Sequence, residues 1–197
     1  LAGDYSIAEI AGDMLAALDR LGWETTHVVG HSMGGMVFQQ AALTAPRRFR
    51  SGVAVTPVPA SGYQVDAETQ ALFSRAADDD NALEAMFGFL TGQRHGDGFH
   101  RRARIHSRGA LTRPAYLGYM QAWLETDFSA EVGRIDMPVR VIAGRHDAAL
   151  PPDHQRETTL AQLGNAHLEI IEAAGHYPSW ETPVELFTLI DAFLRRA

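Results

Sequence analysis

A Gly-x-Ser-x-Gly motif between two apolar segments is the feature that most constrains how this chain folds. Residues 28–38 read Val-Val-Gly-His-Ser-Met-Gly-Gly-Met-Val-Phe. The apolar residues before the motif predict a short buried strand, and those after it recur at helical spacing. Gly30 and Gly34 lack side chains that would clash where a strand and a helix approach closely. The stretch therefore predicts strand, tight turn and helix, with Ser32 exposed on the turn.

A serine in this position can be a nucleophile. The backbone N–H of Met33, at the start of the predicted helix, is free to donate to a developing oxyanion, and the positive end of the helix dipole helps it. This pattern is the nucleophile elbow. Small-residue turns also produce Gly-x-Ser-x-Gly by chance, so the motif counts only in its strand–turn–helix context and with an acid and a histidine at suitable places.

Charge limits the classes of partner. The chain has 197 residues, 46% of them hydrophobic, which is enough for a real core in one domain, with or without an insertion. Its 17 basic residues are all arginine against 24 acids, and the net charge of -7 argues against nucleic acid and anionic membrane surfaces. A small neutral or apolar partner fits better.

The compartment is less constrained than the partner. The chain has no cysteine, which excludes disulfides and thiolate metal sites but leaves the compartment open. No stretch approaches the roughly 18 apolar residues of a membrane span. We expect a cytoplasmic protein without a membrane span; the chain starts with Leu1, so a targeting signal upstream cannot be judged from it.

Strands and helices alternate on both sides of a purely helical middle segment. Ser6 to Glu9 reads as a capping box at the start of a helix that Gly22 would end. Thr182 to Glu185, with Pro183 at the first helical position, reads as another. We predict helices over 7–21, 33–45, 153–163 and 183–195, and strands over 26–29, 52–56, 138–144 and 167–171. Such alternation indicates a parallel sheet.

The middle segment, residues 63–128, differs from both flanks. It shows no convincing strand, and helical patterns cover 67–77, 82–90 and 113–124, with a polar His- and Arg-rich piece over 95–108. Tyr116, Tyr119, Met120 and Trp123 share one helical face, which is unusually aromatic for so small a unit. The simpler explanation is that these side chains pack the insertion against the core. Tyr119, Met120 and Trp123 are also candidates for contacts with a substrate.

An acid and a histidine follow the serine motif. A serine hydroxyl is a weak nucleophile, so it needs a base, and the base needs a group that fixes its tautomer. Asp147 comes just after the strand that ends at Gly144, and His176 lies on a small-residue loop after the next strand. His31 should diverge from Ser32 and shape the pocket wall. Because parallel strands bring their carboxyl ends to one edge, we expect Ser32, Asp147 and His176 to meet there.

Together these motifs resemble the α/β-hydrolase superfamily, in its serine-hydrolase branch. The motifs are Gly-His-Ser-Met-Gly-Gly at 30–35, Gly-Arg-His-Asp at 144–147 and Gly-His at 175–176 before a final amphipathic helix. The order Ser, Asp, His is that of the family. The resemblance implies an α/β fold with the parallel hydrolase sheet flanked by helices. Residues 1–62 and 129–197 would form the core, and 63–128 an inserted all-helical cap over the pocket.

By the same resemblance, the expected activity is hydrolysis of an ester, thioester or lactone, or of the C–C bond of a diketone-like compound. Ser32, His176 and Asp147 would be the triad, with no cofactor and no metal. Haloalkane dehalogenase and epoxide hydrolase are disfavoured because both need a carboxylate where Ser32 stands. A hydroxynitrile lyase is disfavoured because it is expected to use lysine, which this chain lacks. The alternative is a ligand-binding or receptor-like homologue with little turnover.

One departure from the family concerns the sheet. Family members have further strands, and a loop with a second oxyanion donor, before the elbow strand; here that strand starts at Thr26. The strand at Thr26–Val29 would then expose an unpaired apolar edge. We therefore expect a second polypeptide, most simply the N-terminal part of the same hydrolase, to pair beside this strand and to supply the second oxyanion donor.

Overall fold

Four parallel strands form one sheet in a computed structural model that describes residues 3–197. The strands are β1 (Thr26–His31), β2 (Phe49–Val55), β3 (Val139–Gly144) and β4 (Ala166–Ile171), and each pairs with the next in chain order. The helices are α1 (Ile7–Arg20), α2 (Met33–Thr44), α3 (Ala67–Arg75), α4 (Asp80–Leu90), α5 (Asp97–Ala110), α6 (Arg113–Glu125), α7 (Pro152–Gln155), α8 (Pro178–Glu181) and α9 (Pro183–Leu194). A parallel sheet flanked by helices confirms the predicted fold class.

Helix α1 begins where the capping box predicts. The Ser6 hydroxyl accepts a hydrogen bond from the Glu9 amide at 3.1 Å, which satisfies one of the free N–H groups at the helix start. Ile7 and Ala11 turn their side chains into the core. The helix ends one residue before the predicted end, and Gly22 takes φ of +68°, which glycine adopts without strain.

The two faces of the sheet are covered by different helices. Ala54 and Val28 pack in the larger apolar cluster together with α2, and Val53 and Val55 pack against α9 through Leu186 in the smaller one. Strands buried on both faces carry nearly continuous apolar runs, which is why β2 and β3 were recognisable in the sequence. The sheet is therefore a two-sided core that holds the ends of its strands in place.

Strand β1 is the exception to this two-sided burial. Among the described residues it has a single neighbour, β2, so its other side is a free edge. Val29 pairs in register with Val53 and points to the same face, yet it is 48% exposed because α9 covers β2 to β4 and not β1. The predicted edge at this strand is present in the structure.

Helices α3 to α6 lie between β2 and β3, inside the segment of residues 63–128 that we call the cap. Arginines of α5 bind acids of α4: Arg104 contacts Asp80 and Glu84 at 2.7 Å, and Arg108 contacts Asp80 at 3.0 Å. The polar piece over 95–108 is thus the regular helix α5, whose arginines hold it to α4. Pairs this exposed stabilise a fold only weakly.

The extents of β1 and β2 and the start of α9 differ from the prediction, whereas the helix over 153–163 is confirmed. β1 and β2 are longer than expected because both strands extend through polar residues: β1 continues to His31, and β2 reaches back to Phe49 past Arg50, where the register shifts and Arg50 has no partner on β1. The helix predicted over 153–163 is present over residues 152–162: α7 continues through a π-helical turn, Arg156–Leu160, into two further helical residues. Thr182 does not cap α9, because its hydroxyl turns back to the Pro178 carbonyl at 3.5 Å.

Candidate active site

Ser32 sits between β1 and α2 in a conformation that residues other than glycine seldom adopt. Its φ is 53° and its ψ is -121°, and such strain persists only where the surroundings hold it. Here the Ser32 amide donates to the Val55 carbonyl at 2.9 Å, and its carbonyl accepts from the amides of Gly35 at 2.9 Å and Val58 at 3.1 Å. Backbone hydrogen bonds from β2 and the following segment thus fix the serine on the turn.

The structure confirms the predicted role of Gly30 next to Ser32 but not that of Gly34. A Cβ on Gly30 would lie 2.2 Å from the Gly34 carbonyl oxygen, which confirms the need for glycine there. A Cβ on Gly34 would meet nothing within 4 Å, so the prediction for Gly34 was wrong. The close approach occurs instead at Gly35, where a Cβ would lie 2.6 Å from the Pro57 side chain. Gly34 leaves open space beside Ser32, on the wall of the cavity described below.

Ser32, His176 and Asp147 lie in one row of hydrogen bonds. Nδ1–H of His176 donates to Oδ2 of Asp147 over 2.7 Å, since a carboxylate can only accept. That tautomer leaves Nε2 as an acceptor, and the Ser32 hydroxyl lies 2.9 Å from it. Asp147 is 2% exposed and His176 4%, so water competes little for either bond. This row can take a proton from the serine as its oxygen becomes bonded to carbon.

Asp147 is oriented from its own loop. Its Oδ1 accepts from the amides of Ala149 and Leu150, each at 3.0 Å, while Oδ2 faces His176. The two oxygens therefore have separate partners, and the carboxylate cannot rotate without losing three hydrogen bonds. A buried acid that is bonded at both oxygens keeps its charge at small cost.

His31 lines the cavity wall, where the sequence placed it, and it also touches the neighbouring loop. Nε2–H of His31 donates to the His176 carbonyl at 2.7 Å. Burial, and to a smaller extent the nearby His176 ring, lowers the pKa of His31 to about 4; the ring contributes because two cationic rings 5.1 Å apart would repel. His31 is therefore neutral at pH 7 and does not oppose a positive charge on His176.

Met33 is the first residue of α2, so no earlier carbonyl of the helix accepts its N–H. That N–H lies at the positive end of the helix, directly after the serine. Beside it, Gly34 leaves room for an oxygen atom. The position suits an anion that develops on a carbonyl oxygen attacked by Ser32.

A cavity of about 280 Å³ opens above Ser32 and is roofed by the cap. Tyr119, Met120 and Trp123 of α6 line it, each partly buried, as predicted. The other lining residues are His31, Ser32, Met33, Gly34, Val58, Tyr63, Phe73, Met86, Leu90, Leu111, Tyr116, Ala149, Leu150, His176 and Tyr177. None of them is Asp, Glu or Arg.

Three tyrosines of the cavity, Tyr63, Tyr116 and Tyr177, are neutral at pH 7. Burial raises the pKa of Tyr116 to about 12, and it also raises the pKa of Tyr63 and of Tyr177. The Tyr116 hydroxyl donates to the Phe73 carbonyl at 3.0 Å. The cavity is therefore an apolar, uncharged space with a few hydroxyl groups.

Sequence reasoning missed several residues here. Thr56 donates its hydroxyl to the His176 carbonyl at 3.1 Å, and Glu181 accepts from amides on both sides of His176. The sequence placed Thr56 at the end of a predicted strand and gave no role to Glu181. The signal for Glu181 was its distance of five residues from His176 on a turn that begins with proline. That signal has no meaning without the fold.

Within residues 3–197, no group of three or more His, Asp and Glu side chains is placed to hold a metal ion. No helix there is both long and apolar enough to cross a membrane.

Comparison with known proteins identifies the class. A sequence profile described as alpha/beta hydrolase fold matches residues 1–183, and the chain belongs to that family. RutD of Pseudomonas syringae pv. syringae (strain B728a), named as a carbamate hydrolase, is 31% identical over 206 residues, which cover 98% of this chain and 77% of that protein.

Two other comparisons agree. EphH of Mycobacterium tuberculosis (strain ATCC 25618 / H37Rv), named as an epoxide hydrolase, is 28% identical over 207 residues, with 96% of this chain and 95% of that protein covered. An esterase from Exiguobacterium antarcticum superimposes with a TM-score of 0.87 at 15% identity, over 99% of this chain and 76% of that chain. At this identity the esterase shows the fold alone. The relatives named here are all hydrolases.

Proposed function

We propose that the chain is a serine hydrolase that attacks a neutral carbonyl compound. The observation that carries the proposal is the row from Ser32 through His176 to Asp147, with hydrogen bonds of 2.9 and 2.7 Å, at the floor of an uncharged cavity. The fold alone would not suffice, because one fold hosts many activities. The row gives the serine the base that it lacks by itself.

The chemistry follows from the positions of the atoms. The Ser32 oxygen bonds to the carbonyl carbon as Nε2 of His176 takes its proton, and the resulting oxyanion accepts a hydrogen bond from the Met33 N–H. Asp147 stabilises the imidazolium and holds the ring. The tetrahedral intermediate collapses, and the leaving group takes the proton from His176. Water then repeats the sequence on the acyl-enzyme and releases the acid.

The cavity limits the substrate class. An apolar lining without Asp, Glu or Arg favours uncharged acyl chains or aromatic groups, since a buried charge would have no partner there. Esters, thioesters, lactones, diketone-like compounds and carbamates, the substrate class in the name of RutD, all present a carbonyl carbon to Ser32. Epoxide opening, named for EphH, remains disfavoured because Ser32 stands where a carboxylate would be needed.

The test uses two reagents on the purified protein. A fluorophosphonate probe should label Ser32, and a panel of p-nitrophenyl esters should be hydrolysed with a preference that depends on acyl chain length. Labelling with almost no turnover, also when the second polypeptide proposed below is present, would favour the receptor-like alternative. Absence of labelling in folded protein would contradict the proposal, because an activated serine reacts with the probe whatever its natural substrate is.

We also propose that a strand of a second polypeptide pairs along the free edge of β1 and brings the second oxyanion donor. Supporting this are the unpaired N–H and C=O groups along that edge and the half-exposed Val29 beside it. A flat apolar edge is an aggregation site when uncovered. Expression of residues 1–197 alone should give a product that aggregates or is weakly active. A soluble monomer with full activity would contradict this proposal but not the proposal that Ser32, His176 and Asp147 form a triad.

A further inference from the structure

The carboxylate of Glu181 is completely buried and surrounded by donors. Its Oε1 accepts from the Tyr177 amide at 2.9 Å. Its Oε2 accepts from the Gly175 amide and from Nε2–H of His95, both at 2.9 Å, and Nη1 of Arg94 lies 3.4 Å away. The Glu181 side chain has 0% exposure. A carboxylate is buried at considerable cost unless it is hydrogen-bonded in this way. We therefore look for the role of Glu181 in the groups that donate to it.

Those partners are the two amides on either side of His176. The backbone of His176 itself is fixed as well: its amide donates to the Leu90 carbonyl at 3.0 Å, and its carbonyl accepts from His31 and Thr56. Glu181 completes this set, because without it the amides of Gly175 and Tyr177 would have no acceptor among these groups. The imidazole of His176 can then move relative to Ser32 only if several hydrogen bonds break together.

The donors Arg94 and His95 come from the turn between α4 and α5 of the cap. This turn packs closely against two loops of the candidate site. A Cβ on Gly175, in the His176 loop, would be 2.8 Å from Cα of Thr91, and a Cβ on Gly92 would be 2.8 Å from the carbonyl oxygen of His146 in the Asp147 loop. The cap is thus joined to the His176 loop by close packing and by the Glu181 carboxylate. A movement of this turn should therefore also move the His176 loop and its imidazole.

We propose that Glu181 is a positioning residue that sets the distance from His176 to Ser32 and couples it to the cap through Arg94 and His95. The inference rests on the proposed function. Its physical basis is that a misplacement of about 1 Å at a reacting group lowers a rate on the order of 10²-fold. Glu181 touches none of the reacting atoms, and it does not line the cavity.

Glu181→Gln tests this, because it keeps the size of the side chain but replaces one acceptor oxygen by an NH₂ group that cannot accept from an amide. We expect kcat on p-nitrophenyl esters to fall about 10²-fold, with KM nearly unchanged since the cavity is intact. In the proton NMR spectrum, the downfield signal of the His176–Asp147 hydrogen bond should broaden or shift while the backbone amide spectrum is retained.

The matched control is Glu172→Gln. Glu172 also pairs with an arginine, Arg145, at 2.6 Å and follows β4, but its side chain is 69% exposed and does not touch the His176 loop. Both kcat and the NMR signal should be as in the wild type. His95→Phe is the second variant: it keeps the ring stacked on Phe99, at 4.3 Å, and removes one donor to Glu181. It should lower kcat less than Glu181→Gln does.

A wild-type kcat together with an unchanged NMR signal in folded Glu181→Gln would overturn the proposal. So would a loss of rate explained fully by the unfolded fraction. If Glu181→Gln does not fold, the same two readouts on His95→Phe decide, and wild-type values there overturn it. Because the NMR signal needs no substrate, it tests Glu181 even if the wild-type protein proves inactive on every ester, which would contradict only the proposed function.

Discussion

The floor and the roof of the cavity are built differently. At the floor, Ser32, His176 and Asp147 are polar and are joined to one another and to backbone groups by short hydrogen bonds, and the last two are almost completely enclosed. At the roof, Tyr119 and Trp123 of α6 are partly buried and meet mainly other aromatic rings. The hydrogen bonds of the floor fix the positions of its side chains, whereas the roof offers an apolar surface to whatever occupies the cavity.

The forces that hold the two regions differ as well. α6 has no fully buried residue, and it is linked to the segment before α4 by an exposed pair, Arg113 with Asp78 at 2.7 Å. Such pairs contribute roughly 0–1 kcal/mol each. Because the side chains of the roof are only partly buried, changing them should cost less folding stability than changing those of the floor. Substitutions at the floor should therefore change the rate of the reaction, whereas substitutions at the roof should change the preference among substrates.

The largest effect is expected at the floor. Ser32→Ala and His176→Ala should each lower kcat about 10⁶-fold if the protease precedent applies, and the double variant should cost little more, because the residues act as a unit. The assay is p-nitrophenyl ester hydrolysis. Ser129→Ala, in an exposed turn where the hydroxyl bonds Asp127, is the control and should be active. Additive losses in the double variant would contradict shared chemistry.

Asp147→Asn should keep the fold but favour the wrong tautomer of His176, with a loss in kcat of about 10⁴-fold. The variant amide would donate where the carboxylate now accepts Nδ1–H. Asp153→Asn is the matched control, since that acid is exposed and pairs with Arg156 on the same turn. A wild-type kcat in Asp147→Asn would show that the Asp147 carboxylate is not needed to orient His176 in the reaction.

A third prediction concerns charge at the floor. The pKa of His31 is about 4 in the fold and about 6.5 when unfolded, so its contribution is complete above pH 6.5 and is lost as the pH falls towards 4. Between pH 6.5 and pH 4, the titration of His31 should lower the free energy of unfolding by up to about 3 kcal/mol. Urea unfolding at several pH values measures it.

The comparison variant for this prediction is His31→Gln, which keeps a side-chain donor and cannot titrate. Its stability should fall less steeply between pH 6.5 and 4 than that of the wild type. His167→Gln, at an exposed position on β4, should retain the wild-type slope. Equal slopes in wild type and His31→Gln would show that His31 accepts a proton freely in the folded protein.

The smallest effect is expected at the roof. Trp123→Ala should change the ratio of kcat/KM between short and long acyl chains about 10-fold, since one methylene in an apolar pocket is worth roughly that, and should change the melting temperature little. Trp23→Ala removes a 53% exposed tryptophan outside the cavity and should leave the ratio unchanged. A collapse of stability with an unchanged ratio would show that Trp123 only packs the cap.

The parts of the fold that local sequence determines were predictable. The start of α1 at Ser6 depends on a hydroxyl and an amide three residues apart, and the Gly30 requirement depends on one close contact. The carboxyl ends of three strands bring Ser32, Asp147 and His176 together, which follows from strand order and motif order. These inferences needed only short-range chemistry and one rule of topology.

The rest depends on distant contacts that no local pattern encodes. Gly35 is needed because Pro57 lies against it, and Glu181 is buried because the cap turn covers it. Thr182 has the residue type of a cap, but it directly follows α8, and its hydroxyl donates to the Pro178 carbonyl of that helix. Such features appear only once the tertiary structure places their partners.

The clamped backbone of Ser32 has a consequence for the energetics of turnover. Because its amide and carbonyl are already bonded to Val55, Gly35 and Val58, substrate binding in the proposed reaction has little backbone freedom of Ser32 left to remove. The orientational entropy of the attacking group is lost during folding and not during each catalytic cycle. The temperature dependence of acylation should therefore reveal a barrier that is mostly enthalpic, with an activation entropy close to zero.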